Sequence, residues 1–453
     1  MLVVNRHPFR RLQPECHGNI PQIHISEGFR VKSDSVKRDS YMPRIKNPLL
    51  PIFLIVLVDI FGLTLILPLL PFYAERYGAS PFQVGLLTAS YALFQLIAGP
   101  VLGAISDRIG RRPMLILSQV GTLIGFLILA QATTLAMVFV SRIVDGATAG
   151  NLSLAQAYIS DVTVREKRAQ SFAIIGISFG LGFLIGPAVS GFLSQYGYQY
   201  PIYAAAGLSA LSILATTFLL PKKTPYAEDA TQTQGSTPQG GDGRRLGVWD
   251  WSYYSQFFKR PELGRLLIEF FLFIFSFSFF IGGFALFAER RFHFHGRPFG
   301  PKEVGYLYAY GGLLGLFLQG GLVGRLVKIY GERKLIRAGF LSSVLSYSLL
   351  SLAKATAPLI AANTVGSFGN SVLRPCLTSL VTQRASREEQ GVVLGLTQSI
   401  SSVSAIIAPL IGAILIGQGW LKSWCIVAAS VSLIGWLLAS QSVKKAAEAI
   451  KVL

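Results

Sequence analysis

The chain has 453 residues, of which 51% are hydrophobic and only 14% charged, and its mean hydropathy is +0.51. That balance excludes an ordinary soluble domain, where about a quarter of the residues carry charge. The formal net charge of +19 raises nucleic acid or an anionic lipid surface as a partner, and its distribution along the chain decides the matter.

Residues 1–47, beginning "MLVVNRHPFRRLQPECHGNI", show no helical period and mix both signs of charge. They read as a cytoplasmic tail without fixed structure. Four acids (Glu15, Glu27, Asp34 and Asp39) argue against a transit peptide, and Met42 offers a second start just before the first apolar run. Apolar runs follow at 50–73, 82–105, 113–131, 135–157, 170–195 and 200–220. The segment 221–262, with "TPYAEDATQTQGSTPQGGDGRR", is polar and rich in Gly, Ser, Thr, Pro and Gln, so it is expected not to fold on its own. Six more runs stand at 263–289, 303–325, 334–353, 357–380, 390–416 and 422–441, before a tail at 442–453. These runs are too long for barrel strands, and lipid tolerates only helices or closed barrels. The expectation is an all-α polytopic membrane protein with twelve transmembrane helices. Its domains are a six-helix bundle at 48–220, a central cytoplasmic linker at 221–262 and a second six-helix bundle at 263–441. No cleavable signal peptide is visible, so the first run is expected to act as its own insertion signal.

With an even number of spans, both termini share one side. That side carries 32 of the 41 lysines and arginines and the opposite side 7; Arg142 and Arg374 fall within spans. The positive-inside rule therefore places both termini in the cytoplasm and accounts for the basic charge without nucleic acid; a cell's inner (plasma) membrane is the expected site, with a specialised membrane such as a thylakoid as the alternative. Cys16, Cys376 and Cys425 are odd in number and far apart, which points to no disulfide framework and no cysteine metal site. His293 and His295 in "RRFHFHGRP" lack a neighbouring carboxylate or cysteine cluster and read as an exposed outer loop. No metal and no cofactor is expected. No nucleophile–base set and no G-x4-G-K-[ST] loop appears, which argues against an enzyme and against an ATP-driven pump.

The second group of six repeats the first. "GAISDRIGRRPM", from Gly103 with Asp107, Gly110, Arg111 and Arg112, matches "GRLVKIYGERKL", from Gly324 with Lys328, Gly331, Glu332 and Arg333, at an offset of about 221 residues. Gly150–Asn151 matches Gly369–Asn370, Arg165 matches Arg384 and Gly176 matches Gly395, all at an offset of about 219. Two parallel halves of this kind place a central cavity between them and let them rock for alternating access. The glycines and basic residues recur; the acid Asp107 does not.

"GAISDRIGRRPM" resembles the signature loop between spans 2 and 3 of the major facilitator superfamily. "DIFGLTLILPLLP" (Asp59, Gly62, Pro68, Pro71), "RIVDGATAGN" (Arg142, Gly146) and "GFLIGPAVSG" (Gly182, Gly186, Pro187, Gly191) resemble its twelve-span drug:proton antiporters. "AYISDVT" and "YALFQLIAGPVLG" are similar to the tetracycline-resistance branch. The resemblance covers about residues 48–441. It implies the major facilitator fold of two pseudo-symmetric six-helix bundles, and proton-coupled export of a small, drug-like amphipathic compound. Its partners are then a small molecule, protons and the bilayer, with a monomer as the working unit.

The resemblance also implies roles for single residues. Gly103, Asp107, Arg108, Gly110 and Arg111 form a gate, with Asp107 meeting the start of span 11 and Arg111 pairing with Asp161 at the end of span 4. Gly182, Gly186 and Pro187 shape span 5, while Arg142 faces the cavity and tunes an acid's affinity for protons. On the residues alone, Arg142 and Asp145 share one helix face at i, i+3 and make a structural ion pair equally readable. Asp59 is the first candidate for the proton site, because it is an acid some ten residues into an otherwise apolar span, with a structural polar contact as its competing reading; Glu269 is the second, with an interfacial pair to Arg265 as its competing reading. Arg374, beside Pro375, is a candidate for holding an anionic substrate group, with stabilisation of the helix break at that proline as the competing reading. Tyr91, Gln95, Gln156, Asn363, Asn370 and Gln398 are cavity candidates by position. The acids that tetracycline transporters carry in spans 3 and 9 have no counterpart here, which argues against tetracycline itself. Uptake or uniport of a metabolite on the same fold, and a membrane scaffold without transport, are the alternatives.

Overall fold

The computed structural model describes residues 49–163, 168–220, 251–386 and 389–451, all within one compact unit, Asn47–Leu453. The tail to residue 47, Cys16, Met42, Arg165 and most of the predicted linker lie outside the described residues. Helices stand on all twelve predicted stretches. Among the described residues, nine helices are long and apolar enough to cross a membrane.

The first half comprises α1 (Leu49–Ile66), α2 (Leu70–Glu75), α3 (Pro81–Ile109), α4 (Arg111–Ala130), α5 (Leu135–Thr148), α6 (Asn151–Val162), α7 (Arg168–Leu193) and α8 (Gln199–Leu219). Two predicted runs are thus broken. Pro68 and Pro71 separate α1 from α2, since proline cannot donate to the helical ladder. Ala149 and Gly150 interrupt the run at 135–157. Helix α3 starts on a capping box in which Ser80 and Gln83 exchange hydrogen bonds. It ends at Gly110, whose φ of +100° suits only glycine and lets α4 begin at once.

The second half comprises α9 (Trp251–Lys259), α10 (Pro261–Arg291), a two-stranded hairpin (β1 His293–Phe294, β2 Arg297–Pro298), α11 (Pro301–Phe317), α12 (Val323–Tyr330), α13 (Glu332–Leu352), α14 (Thr356–Gln383), α15 (Gln390–Gly417) and α16 (Leu421–Lys451). Helix α9 falls at the end of the predicted linker 221–262 and leans on the second half: its sequence "WSYYSQFFK" buries Phe257 beside Leu263 and Leu267. Between α11 and α12 a wide turn of helix at Leu318–Leu322 carries Gly320 and Gly321 and kinks the run. Gly331, with φ +76°, repeats the role of Gly110. Helix α16 extends past the predicted end of its span.

The buried side chains form three clusters, and their membership positions the site. One cluster joins both halves at the end opposite the Gly110 and Gly331 turns: Leu65, Phe72, Val84, Phe126 and Ile202 pack in it with Phe279, Phe284, Tyr308, Ala408 and Trp424. At the end that carries those turns, the halves have separate cores. Ile52, Met114, Leu115 and Tyr158 belong to one; Phe257, Leu335, Phe340 and Val381 belong to the other. The halves are held together at one end and apart at the other.

Glycines along the seams report the same divergence. On α3, a methyl group at Gly85 would stand 2.7 Å from Ala413 and 2.9 Å from the Pro409 carbonyl of α15, while at Gly103 it would meet nothing within 4 Å. On α7, one at Gly191 would stand 3.0 Å from the Lys302 carbonyl and one at Gly180 3.3 Å from Leu316, while at Gly176 it would meet nothing. Gly320, Gly324 and Gly395 face open space as well. Close contact of this kind needs the missing side chain. The joined end is tied by Arg290 to Glu75 at 2.7 Å and by Lys302 Nζ donating to Gln195 at 3.0 Å.

Candidate functional site

The first half gathers its membrane-depth polar residues in one place. Asp59, from α1, lies within electrostatic reach of Gln119 of α4 and Ser212 of α8. Gln119 Nε2 donates to Ser212 Oγ at 2.8 Å, and Ser209 Oγ donates to the Gln119 carbonyl at 3.2 Å. Beside them, Arg142 Nη1 meets Asp145 Oδ2 at 3.2 Å, both side chains being buried. The Arg142 guanidinium carbon lies 5.8 Å from the centre of the Phe126 ring, and its Nη2 has no hydrogen-bond partner. Asp145 lies within reach of Thr122 and of the charge of Asp59. Tyr91, from α3, lies within electrostatic reach of Asp59, Arg142 and Asp145, and its hydroxyl accepts from Gln95 Nε2 at 3.3 Å.

Small residues let these helices converge. A methyl at Gly146 would press on Tyr91, with 3.1 Å to its Cα, and one at Gly125 would stand 2.9 Å from Asp145 Cβ. Gly182 and Gly186 of α7 close on Ile60 and Thr64 of α1, where Thr64 Oγ1 donates to the Gly182 carbonyl at 2.9 Å. Their neighbour Pro187 lies at the seam with α11, its carbonyl facing Gly305. The span-5 pattern thus clamps the helix that carries Asp59 and also meets the other half.

Sequence reasoning missed Gln119, Ser209 and Ser212. The signal was present: Ser209, Ser212 and Thr216 share one buried face of α8, and Gln119 is the one amide within α4. Within α4 that polar group is an amide and not an acid. Arg142 is 4% exposed, so it stands inside the cluster rather than open to the space between the halves.

Other candidates stand apart. Glu269 is 2% exposed, 3.4 Å from Arg265, and packs among Leu266, Phe270 and Phe273 inside the second half; it does not join the Asp59 cluster. The interfacial-pair reading describes its surroundings. Asn370 and Asn363 line a crevice with Phe280 and Tyr347. Gln156 is half-buried on α6, and Gln398 is exposed on α15. Arg374 is exposed on α14, its guanidinium carbon 5.6 Å from the ring centre of Phe179 on α7.

At the separated end, Arg111 Nε meets Asp161 Oδ2 at 2.9 Å, joining the α3–α4 turn to the end of α6. Arg111 also donates to Ser106 at 2.6 Å and pairs with Asp107 at 2.6 Å. Arg112 donates to the Thr217 carbonyl of α8, and Arg108 is exposed. The expected meeting of Asp107 with the start of α15 is not made: the Asp107 side chain is 63% exposed and turned to Arg111. The physical reason is the separation of the two halves at this end. The start of α15 is engaged elsewhere, with Arg260 forming a two-pronged pair to Glu389 at 2.8 and 2.6 Å. That pairing holds the Glu389 carboxyl down at about 2. Arg333 and Arg384 share Glu262, at 3.4 and 2.6 Å. The second half therefore carries a clip of its own at the matching turn, with Glu262 as the acid that Lys328 is not.

Comparison with known proteins follows the same lines. The model of the Major Facilitator Superfamily matches residues 52–353 and 320–449. The chain is 29% identical over 387 residues to the class B tetracycline resistance protein of Escherichia coli, covering 82% of this chain and 92% of the relative. It is 26% identical over 372 residues to multidrug resistance protein 2 of Bacillus subtilis, covering 80% and 88%. A crystal structure of the nucleoside transporter NupG superposes with a TM-score of 0.67 at 16% identity, over 87% of this chain and 98% of that one, which speaks for the fold alone.

Proposed function

The chain belongs to the major facilitator superfamily, and from that premise we propose that it exports a small amphipathic compound in exchange for protons, with Asp59 as the proton carrier. The observation that carries this reading is the gathering of Asp59 and Tyr91, both half-buried, with the buried Gln119, Ser212 and Arg142–Asp145 pair. It lies in a molecule joined at one end and parted at the other. Similarity to tetracycline and multidrug resistance proteins supports the direction and the class of compound. The missing acids of spans 3 and 9 argue against tetracycline as the substrate.

In this reading the twelve helical runs are twelve crossings, the monomer is the working unit, and both termini face the cytoplasm. The conformation seen is then open to the cytoplasm and closed outside. An acid that alternates between a hydrated and a buried setting takes up a proton on one side and releases it on the other. Gln119 and Ser212 hold its carboxyl in place. Arg142 balances the charge of Asp145, the neighbouring acid whose carboxylate Asp59 feels. For the outward-open state, the Glu75–Arg290 pair and the α3–α15 seam must part, and the turn at Gly110 must approach α15.

Closing that end would bring Asp107 to the α15 N-terminus, a favourable place for an anion. Asp107→Asn is therefore expected to insert and fold normally, because Arg111 keeps Asp161, yet to lower transport about tenfold, as about 1.4 kcal/mol of closing free energy would. Turnover at the wild-type rate would reduce the loop to a topology anchor. The reading as a whole is tested with purified protein in liposomes under an imposed pH gradient and a panel of lipophilic dyes and drugs. Gradient-driven movement of at least one compound is expected; movement of none, in either gradient direction, contradicts it.

A further inference from the structure

Most charges deep within the helices have a protein partner. Asp59 has Gln119 and Ser212, Arg142 has Asp145, and Glu269 has Arg265. Arg374 is different. It lies nine residues before Gln383, the last residue of α14, which is about 13 Å along a helix. Its side chain is accessible, and among the described residues it makes no ion pair and no hydrogen bond. The contact described for it is the Phe179 ring, which belongs to the other half.

The internal repeat puts Ala155 at the matching place in the first half. The charge is therefore no part of the scaffold that the two halves share. An arginine at the centre of a membrane helix costs about 2.5–3.5 kcal/mol, and here no carboxylate offsets it. A structural clip between the halves would need only an aromatic or aliphatic side chain against Phe179. The guanidinium adds a planar set of donors, suited to gripping two oxygens of a carboxylate or sulfonate at once. Phe179 and Phe183, stacked with centroids 6.5 Å apart, set an apolar wall beside it. A cation over an aromatic ring keeps its edge N–H groups free for a ligand.

We propose that Arg374 and Phe179 form an anion subsite in the space between the halves, taking the carboxylate or sulfonate of an amphipathic substrate whose apolar body lies along Phe179 and Phe183. This deepens the exporter reading and rests on it, because the site opens into the space through which export would run. The substrate is then an organic anion carrying a ring or chain, rather than a lipophilic cation.

The test compares two dyes built on one xanthene frame: fluorescein, which carries a carboxylate, and rhodamine 123, which carries a positive charge. Purified full-length protein is titrated with each, and binding is followed by fluorescence anisotropy. Fluorescein is expected to bind at least tenfold more tightly than rhodamine 123. Arg374→Gln is expected to weaken fluorescein at least tenfold with no loss of rhodamine 123, Arg374→Lys to recover part of the loss, and Phe179→Leu to cost two- to fivefold while the charge stays. Equal affinity for the two dyes, no binding of fluorescein, or unchanged fluorescein affinity in Arg374→Gln overturns the anion site. Vesicle transport separates the two levels. Should fluorescein binding depend on Arg374 while no pH gradient drives either dye across, the anion site stands and the exporter reading falls.

Discussion

Asp59→Asn is expected to abolish uphill transport while leaving binding and downhill exchange in place. One proton moving down a gradient of two pH units releases about 2.7 kcal/mol, enough to sustain an accumulation ratio of about 100 for one exported molecule. The carrier of that proton must change protonation state in each cycle. Asparagine keeps the size of the side chain and its capacity to bond Gln119 and Ser212, so the helices α1, α4 and α8 should stay in register. What it lacks is the exchangeable carboxyl proton. The expected accumulation ratio is therefore about 1, with exchange of labelled for unlabelled compound still measurable. An accumulation ratio near 100 in this variant would move the proton site elsewhere, with Glu269 the next acid to try.

Gly186→Val is expected to cost folded yield and activity together. A Cβ at Gly186 would stand 2.8 Å from Thr64 Cβ and 3.2 Å from the Thr64 backbone carbon, and would overlap the Thr64 hydroxyl. That hydroxyl also donates to the Ile60 and Gly182 carbonyls at 2.8 and 2.9 Å, so it cannot turn away without loss. Backbone contact leaves only separation of α7 from α1, one turn from Asp59. Overpacking of this kind costs about 1–3 kcal/mol, and a shift of about an ångström at the proton site costs transport at least tenfold more than the loss of yield explains. Gly176→Val on the same helix is the comparison, because a side chain there meets open space. It should fold as the wild type does. Equal behaviour of the two variants would show that the α1–α7 contact has no bearing on the site.

The fold was legible in the sequence to an uncommon degree, because lipid allows so few solutions. Length of run and the repeat from Gly103 to Gly324 each report on architecture directly. Breaks inside runs were harder to read. Pro68 announces its break, whereas Ala149 and Gly150 do so only through neighbours that reward a bend. Helix α9 was hidden by the polar stretch ahead of it, although Phe257 and Tyr254, three residues apart, give it an apolar face.

The site was legible in part. Asp59, Tyr91 and the Arg142–Asp145 pair were singled out on three separate spans, and the fold brings them together. Their partners Gln119, Ser209 and Ser212 were not, since a serine or amide in a helix signals nothing until another helix faces it. Glu269 shows the converse limit. An acid within a span reads alike whether it faces a cavity or a neighbouring arginine, and only packing tells that Arg265 holds it. Asp107 adds a third case. Its sequence context points to a contact across the halves, and the conformation seen, parted at that end, leaves it with Arg111 alone.

The central claim is that movement of the compound and movement of a proton are one event. Liposomes holding the purified protein and a trapped pH indicator, weakly buffered and with no pH gradient at the start, receive on one side the compound that moved best in the panel. The account predicts that the compound, flowing down its own gradient, drives protons the opposite way, with a pH change that follows its flux and disappears in Asp59→Asn. Compound flux of undiminished rate with no accompanying pH change in the wild type would contradict it.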